Sequence, residues 1–132
     1  MNSDECRKKT VLIVDDAPFM VSEMEEVLLP YFDVRSARSG LDALEIARKE
    51  PCPDLILLDV VLPDIDGHGV ISRLKSDART ARIPVIFVTA ADAVDDIERG
   101  LCGGAVDYIT KPLVVDDLVN RCQHVLASLS PV

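Results

Sequence analysis

The feature that most constrains the fold is an alternation of short apolar runs with segments whose apolar residues recur at helical spacing. The first run, Val11 to Val14, ends in Asp15-Asp16, and Pro18 then opens a helical pattern. The order repeats along the chain and predicts five strands and five helices. The predicted strands are Val11–Val14, Asp33–Ala37, Leu55–Leu58, Val85–Val88 and Tyr108–Ile109. The predicted helices start at Pro18, cover Leu41–Lys49 and Gly67–Lys75, contain Val94, Ile97 and Leu101, and contain Leu118, Cys122, Val125 and Leu129.

Apolar strands joined by crossover helices are typical of a parallel sheet covered on both faces. Because such crossovers are right-handed, the pattern predicts an α/β fold with an open, doubly wound sheet. Ligands of these sheets bind outside the carboxyl ends of the strands. A functional site is therefore expected where the strands end.

Length and composition restrict the class of protein further. A chain of 132 residues with 48% hydrophobic residues can form one domain with a full core. Its net charge of −9 argues against direct binding of nucleic acid. The apolar runs are far shorter than the roughly 20 residues of a membrane helix, and no export signal is recognisable at the start. We therefore expect a cytoplasmic protein without membrane contact, whose scattered cysteines stay reduced.

Polar residues follow four of the five predicted strands. Asp15 and Asp16 follow the first strand and Asp59 the third, where it interrupts an apolar stretch. Thr89 follows the fourth strand and Lys111 the fifth. Crowded carboxylates repel unless a cation lies between them, and Mg²⁺ prefers oxygen ligands. A lysine and a hydroxyl suit phosphoryl oxygens, so the set predicts a phosphoryl-transfer site with Asp59 as nucleophile.

Four motifs in this order resemble the receiver domains of bacterial response regulators in two-component signalling. They are "VLIVDD", "LILLDVVLPDIDG", "PVIFVTA" and "DYITKP". The resemblance covers residues 10–129, which leaves 1–9 as an N-terminal tail and 130–132 as a C-terminal tail or the start of a linker. It implies a flavodoxin-like five-stranded parallel sheet of order 2-1-3-4-5 with five helices.

The resemblance also implies roles for individual residues. Asp59 would accept a phosphoryl group from the phosphohistidine of a sensor histidine kinase or phosphotransfer protein. The Mg²⁺ ligands would be Asp16, Asp59 and the carbonyl of Val61, with help from Asp15. Lys111 would pair with the phosphoryl group, and Thr89 would donate a hydrogen bond to it.

Tyr108 matches the aromatic switch residue of this family, and the Lys111–Pro112 bond matches one that is often cis. Phosphorylation would alter the surface of the fourth predicted helix, the last strand and the last helix. That surface would act on an output domain or partner protein, and a homodimer could form through it. The domain would catalyse only its own phosphorylation and dephosphorylation, and no reaction of an outside substrate.

Two alternative functions remain open. Asp64-x-Asp66-Gly resembles the nucleophile motif of haloacid-dehalogenase-type phosphatases, although Pro63 separates it from the preceding strand. A receiver-like module that never carries phosphate is the other alternative, although such modules usually lose one of the acidic or lysine residues. A calcium loop is excluded, because it would place Leu62 and Arg73 at ligand positions.

Overall fold

The sheet has the predicted parallel topology. A computed structural model describes residues 8–90 and 103–128. Its five parallel strands are β1 (Thr10–Val14), β2 (Asp33–Ala37), β3 (Leu55–Leu58), β4 (Val85–Ala90) and β5 (Asp107–Lys111). Their order is β2-β1-β3-β4-β5, as the resemblance predicted. β1 and β3 therefore lie side by side near the middle of the sheet.

Four helices are present within the described residues. They are α1 (Pro18–Leu28), α2 (Gly40–Arg48), α3 (Gly67–Lys75) and α4 (Val115–Ser128). Pro18 occupies the first turn of α1, and the Ser39 hydroxyl accepts a hydrogen bond from the Asp42 amide at the start of α2. The predicted helix with Val94, Ile97 and Leu101 lies outside the described residues. The sequence predicted five helices, and the described part of the chain contains four.

Both faces of the sheet are buried. Because successive strand residues point to opposite faces, Leu12 and Val14 of β1 join one hydrophobic cluster while Val11 and Ile13 join the other. The first cluster includes buried residues of α2 and α3, and the second includes buried residues of α1 and α4. This arrangement confirms the doubly wound sheet.

The last two strands are longer than predicted. β4 contains Thr89, and β5 extends to Lys111 because the ladder continues with Thr89 opposite Thr110 and Ala90 opposite Lys111. The prediction that Thr89 and Lys111 follow their strands was wrong, because both strands end two residues later than predicted and contain them. The longer ladder fixes the backbone of both residues within the sheet.

Cys52 and Cys122 have free thiols, and the other two cysteines lie outside the described residues. Burial raises the pKa of Cys122 to about 12. Among the described residues, no helix has the length and apolar character needed to cross a membrane.

Candidate functional site

The carboxyl ends of the two central strands carry the key aspartates. Asp15 follows β1 and Asp59 follows β3. The sheet ladder continues into both residues: the Asp15 amide donates to the Ala37 carbonyl at 3.1 Å, and the Asp59 amide donates to the Val14 carbonyl at 2.9 Å. The backbone of both aspartates is therefore held by the sheet itself.

Three carboxylates meet at this edge. One oxygen from each of Asp15, Asp16 and Asp59 lies within 4.8 Å of the others. Asp15 is 1% exposed and Asp59 is 8% exposed, whereas Asp16 is exposed. Asp15 Oδ1 accepts a hydrogen bond from the Ala17 amide at 3.0 Å, which orients the side chain. Such a set of close oxygen donors suits a hard divalent cation.

Lys111 reaches this cluster from the end of β5. Its Nζ lies 2.9 Å from Asp15 Oδ2 and 3.2 Å from Asp59 Oδ2. Burial alone would lower the pKa of Lys111, but hydrogen bonds and charges from Asp15 and Asp59 outweigh it and raise this pKa above its usual value. Lys111 is therefore a cation that neutralises part of the carboxylate charge.

Asp59 has an unusual electrostatic environment. Burial raises its pKa; the Lys111 charge opposes this, the Asp15 charge adds to it, and the net pKa lies above the usual value. A shifted carboxylate beside specific charge partners is typical of a functional site.

Thr89 and Tyr108 lie on one face of the sheet, in the neighbouring strands β4 and β5. Thr89 is 1% exposed, and Tyr108 is 39% exposed. Tyr108 is the register partner of Phe87, which lies two residues before Thr89, so the three side chains share a face.

The Lys111–Pro112 peptide bond is cis, as the resemblance predicted.

Asp64 and Asp66 do not belong to the cluster. Asp64 accepts hydrogen bonds at 2.8 Å from the amides of Gly40 and Leu41, at the start of α2. These and other backbone amides lower its pKa to about 2. Asp66 caps α3 by accepting from the Gly69 amide at 2.8 Å. The two carboxylates of the phosphatase-like motif therefore hold helix ends.

The sequence analysis missed two residues that shape the site. Asp64 contacts a segment more than twenty positions earlier, and no local pattern announces such a contact. Gly67 lies under Asp59: a Cβ there would come within 2.7 Å of the Asp59 carbonyl oxygen and 2.8 Å of the Phe87 ring. Its position at the start of a predicted helix was the one available signal.

Comparisons with known proteins agree with this geometry. The sequence matches the response regulator receiver domain family over residues 11–123. A probable cyclic di-GMP phosphodiesterase of Vibrio cholerae is 40% identical over 121 residues, which cover 92% of this chain and 27% of that protein. The protein PilH of Pseudomonas aeruginosa is 38% identical over 118 residues, which cover 89% of this chain and 97% of PilH. The chain spans from 24% to 49% of the length of several other curated relatives.

A solved structure from Pseudomonas aeruginosa is also similar. It is the receiver domain of a sensor histidine kinase, described with a magnesium ion coordinated in the active-site cleft. The two chains are 27% identical with a TM-score of 0.83, and the match covers 91% of this chain and 98% of the other. Fold, acidic cluster and sequence match thus agree, and the chain belongs to the family of response regulator receiver domains.

Proposed function

We propose that this receiver domain accepts a phosphoryl group on Asp59 from a sensor histidine kinase or a phosphotransfer protein. The observation that carries the proposal is the contact of Lys111 with both Asp15 and Asp59, at 2.9 Å and 3.2 Å, beside the exposed carboxylate of Asp16. A buried carboxylate that could act as nucleophile, a fixed cation and further carboxylate oxygens close together support this chemistry. The family assignment favours the same chemistry.

In the proposed reaction, a carboxylate oxygen of Asp59 attacks the phosphorus of a phosphohistidine. A P–O bond forms, the P–N bond breaks, and the histidine nitrogen keeps the electron pair and takes up a proton. The ionised form of Asp59 is the nucleophile, and Lys111 already lies within hydrogen-bonding distance of it. Lys111 then pairs with the phosphoryl oxygens, and the Thr89 hydroxyl donates to one of them.

The proposed cofactor is Mg²⁺, held by Asp15, Asp16, Asp59 and the carbonyl of Val61. The close oxygens of the three carboxylates fit this ion, and a structural relative is described with magnesium in its cleft. When bound, Mg²⁺ supplies charge neutralisation and alignment of donor and acceptor.

The proposed output is a change of surface. Thr89 would move toward the phosphoryl group, and Tyr108, now 39% exposed, would turn inward on the same face of the sheet. The change would spread over residues 94–101, β5 and α4, and would control an output domain or a partner protein. The domain would catalyse only its own phosphorylation and dephosphorylation.

The test is intact-mass spectrometry after incubation with a small-molecule phosphodonor, with Mg²⁺ or with a chelator. We expect one phosphoryl adduct that requires Mg²⁺ and is lost in Asp59→Asn. Asp33→Asn is the matched control, because Asp33 is exposed at the opposite end of a strand. It should be modified like the wild type.

Two results would favour the alternatives. Absence of any adduct in the folded wild type would favour a docking module that carries no phosphate. Continuous release of phosphate that survives Asp59→Asn would favour an enzyme and would return attention to Asp64 and Asp66.

A further inference from the structure

The loop between β3 and α3 is anchored to a distant helix. It starts directly after Asp59 and runs to Gly67, whose amide donates to the Val60 carbonyl at 2.7 Å. Between these two buried ends Leu62 and Ile65 are partly buried against the first hydrophobic cluster, whereas the Val61 side chain is 69% exposed. The Val61 side chain therefore contributes little packing, and the local contact of its backbone is a 3.3 Å hydrogen bond from the Val61 amide to Asp59 Oδ1.

Asp64 supplies the anchor. Its two oxygens each accept one backbone amide of α2, from Gly40 and from Leu41, both at 2.8 Å. Ile65 adds a second contact, because a Cβ on Gly40 would collide with the Ile65 side chain. The loop that follows the phosphorylation site is thus docked on the start of α2.

Capping alone does not require this arrangement. The third amide of α2 is already bound by a neighbouring side chain, that of Ser39, at 3.1 Å. The contact of Asp64 with the Leu41 amide lies at the exposed surface, where water can satisfy helix amides, whereas its contact with the Gly40 amide is partly buried. A local cap such as Ser39 stabilises only the end of the helix. Asp64, more than twenty residues away in the sequence, also fixes the position of its own loop.

We propose that Asp64 is a positioning residue: by binding the first two amides of α2, it holds the backbone at Val61 in place for the Mg²⁺ site. This inference rests on the proposed function, which assigns the Val61 carbonyl to the ion. Asp64 is not one of the three carboxylates of the acidic cluster. Groups that orient metal ligands in this indirect way commonly change metal affinity when they are removed.

The test compares two losses of a cap on the same helix. Mg²⁺ is titrated into wild type, Asp64→Ala and Ser39→Ala, and the amide signals are followed by NMR to obtain the Kd. We expect Asp64→Ala to bind Mg²⁺ about tenfold more weakly. Ser39→Ala should bind like the wild type, because it uncaps α2 without releasing the loop. Asp64→Asn should lie between, since its amide oxygen keeps one acceptor.

A second readout needs no metal. In the metal-free protein, amide exchange at Val61 and its neighbours should be faster in Asp64→Ala than in Ser39→Ala. At saturating Mg²⁺, the phosphoryl adduct of Asp64→Ala should reach the wild-type level, because the acceptor itself is intact. If Asp64→Ala does not fold, the Asp64→Asn variant carries the same comparison.

The outcomes separate this inference from the proposed function. A Kd that is equal in Asp64→Ala and wild type would overturn the inference alone, and so would equal weakening in Ser39→Ala. A wild type that neither binds Mg²⁺ nor takes up a phosphoryl group would overturn the proposed function, and the inference with it.

Discussion

At the scale of single residues, the buried carboxylate of Asp59 lowers the stability of the folded, metal-free protein. Asp59 is 8% exposed, and burial raises its pKa. The Lys111 charge lowers this pKa and the Asp15 charge raises it, and the net pKa lies above the usual aspartate value. The ionised carboxylate is therefore less stable in the folded metal-free protein than in the unfolded chain. Functional sites often keep such destabilising groups.

This cost predicts that Asp59→Asn stabilises the metal-free protein, by on the order of 1 kcal/mol at neutral pH. Because the folded pKa of Asp59 is raised, the unfolded chain ionises first as pH rises, and the wild type loses stability up to the folded pKa. The advantage of Asn should thus be absent below the usual aspartate pKa and grow as pH rises above it. Denaturant unfolding in chelator at several pH values measures this difference.

Asp33→Asn, which alters an exposed carboxylate, should show no such gain. Mg²⁺ should stabilise the wild type and reverse the ranking, because ligand that binds the folded state raises its stability. A destabilised Asp59→Asn at neutral pH without metal would contradict this account of the charge.

The residues of the site were largely predictable from sequence, for a physical reason. Strand ends of a parallel sheet meet at one edge, so Asp15, Asp59 and Lys111 could be placed together from their positions alone. Asp64 could not, because its partners depend on how a loop and a distant helix meet in space. Placement at one edge also did not show which carboxylate Lys111 would contact most closely, and the ion pair with Asp15 at 2.9 Å was not predicted.

At the scale of elements, the start of α3 packs closely against the residues that follow β3. Gly67 opens this helix, and a Cβ there would lie 2.9 Å from Val60 Cα as well as near the Asp59 carbonyl. Backbone atoms cannot move aside as the end of a flexible side chain can. The glycine therefore permits the close approach of this helix to the backbone of Asp59 and Val60.

Gly67→Ala should consequently destabilise the protein by about 2 kcal/mol, as overpacking does. Gly69→Ala is the matched control in the same helix, because its Cβ would meet only ordinary contacts at 3.5 Å and beyond. That variant should be neutral or up to about 1 kcal/mol more stable, through the better helix propensity of alanine. Thermal unfolding measures the stabilities of the two variants. Equal stabilities would contradict the close approach of Gly67 to the backbone of Asp59 and Val60.

Element boundaries followed local signals unevenly. Pro18 and Ser39 marked the starts of α1 and α2 correctly to within a residue or two, since caps act through adjacent backbone. The end of β5 was missed, because Thr110 and Lys111 are strand residues through their pairing with β4. Pairing of this kind is a tertiary property that a single segment does not encode.

At the scale of the whole molecule, alternation of strands and helices was enough to predict a doubly wound parallel sheet. The strand order was not derivable in the same way and came from the resemblance to receiver domains. Crossover handedness alone leaves several orders possible. The described hydrophobic clusters on both faces confirm the layers.

Phosphorylation is expected to change the association of the whole domain. The proposed surface includes Tyr108 and Val115, which are 39% and 52% exposed. We predict that a phosphate mimic such as beryllofluoride converts monomers to dimers in sedimentation velocity. An unchanged monomer at high protein concentration, with the mimic bound, would contradict dimerisation through this surface.

The most direct test of the central claim is to locate the phosphoryl group. The phosphorylated protein is treated with borohydride, which reduces an aspartyl phosphate, and the digested peptides are sequenced by tandem mass spectrometry. The account predicts that the reduced residue is Asp59, in samples phosphorylated with Mg²⁺ and not in those with chelator. A modification found at Asp64, Asp66 or a histidine, with Asp59 unmodified, would contradict it.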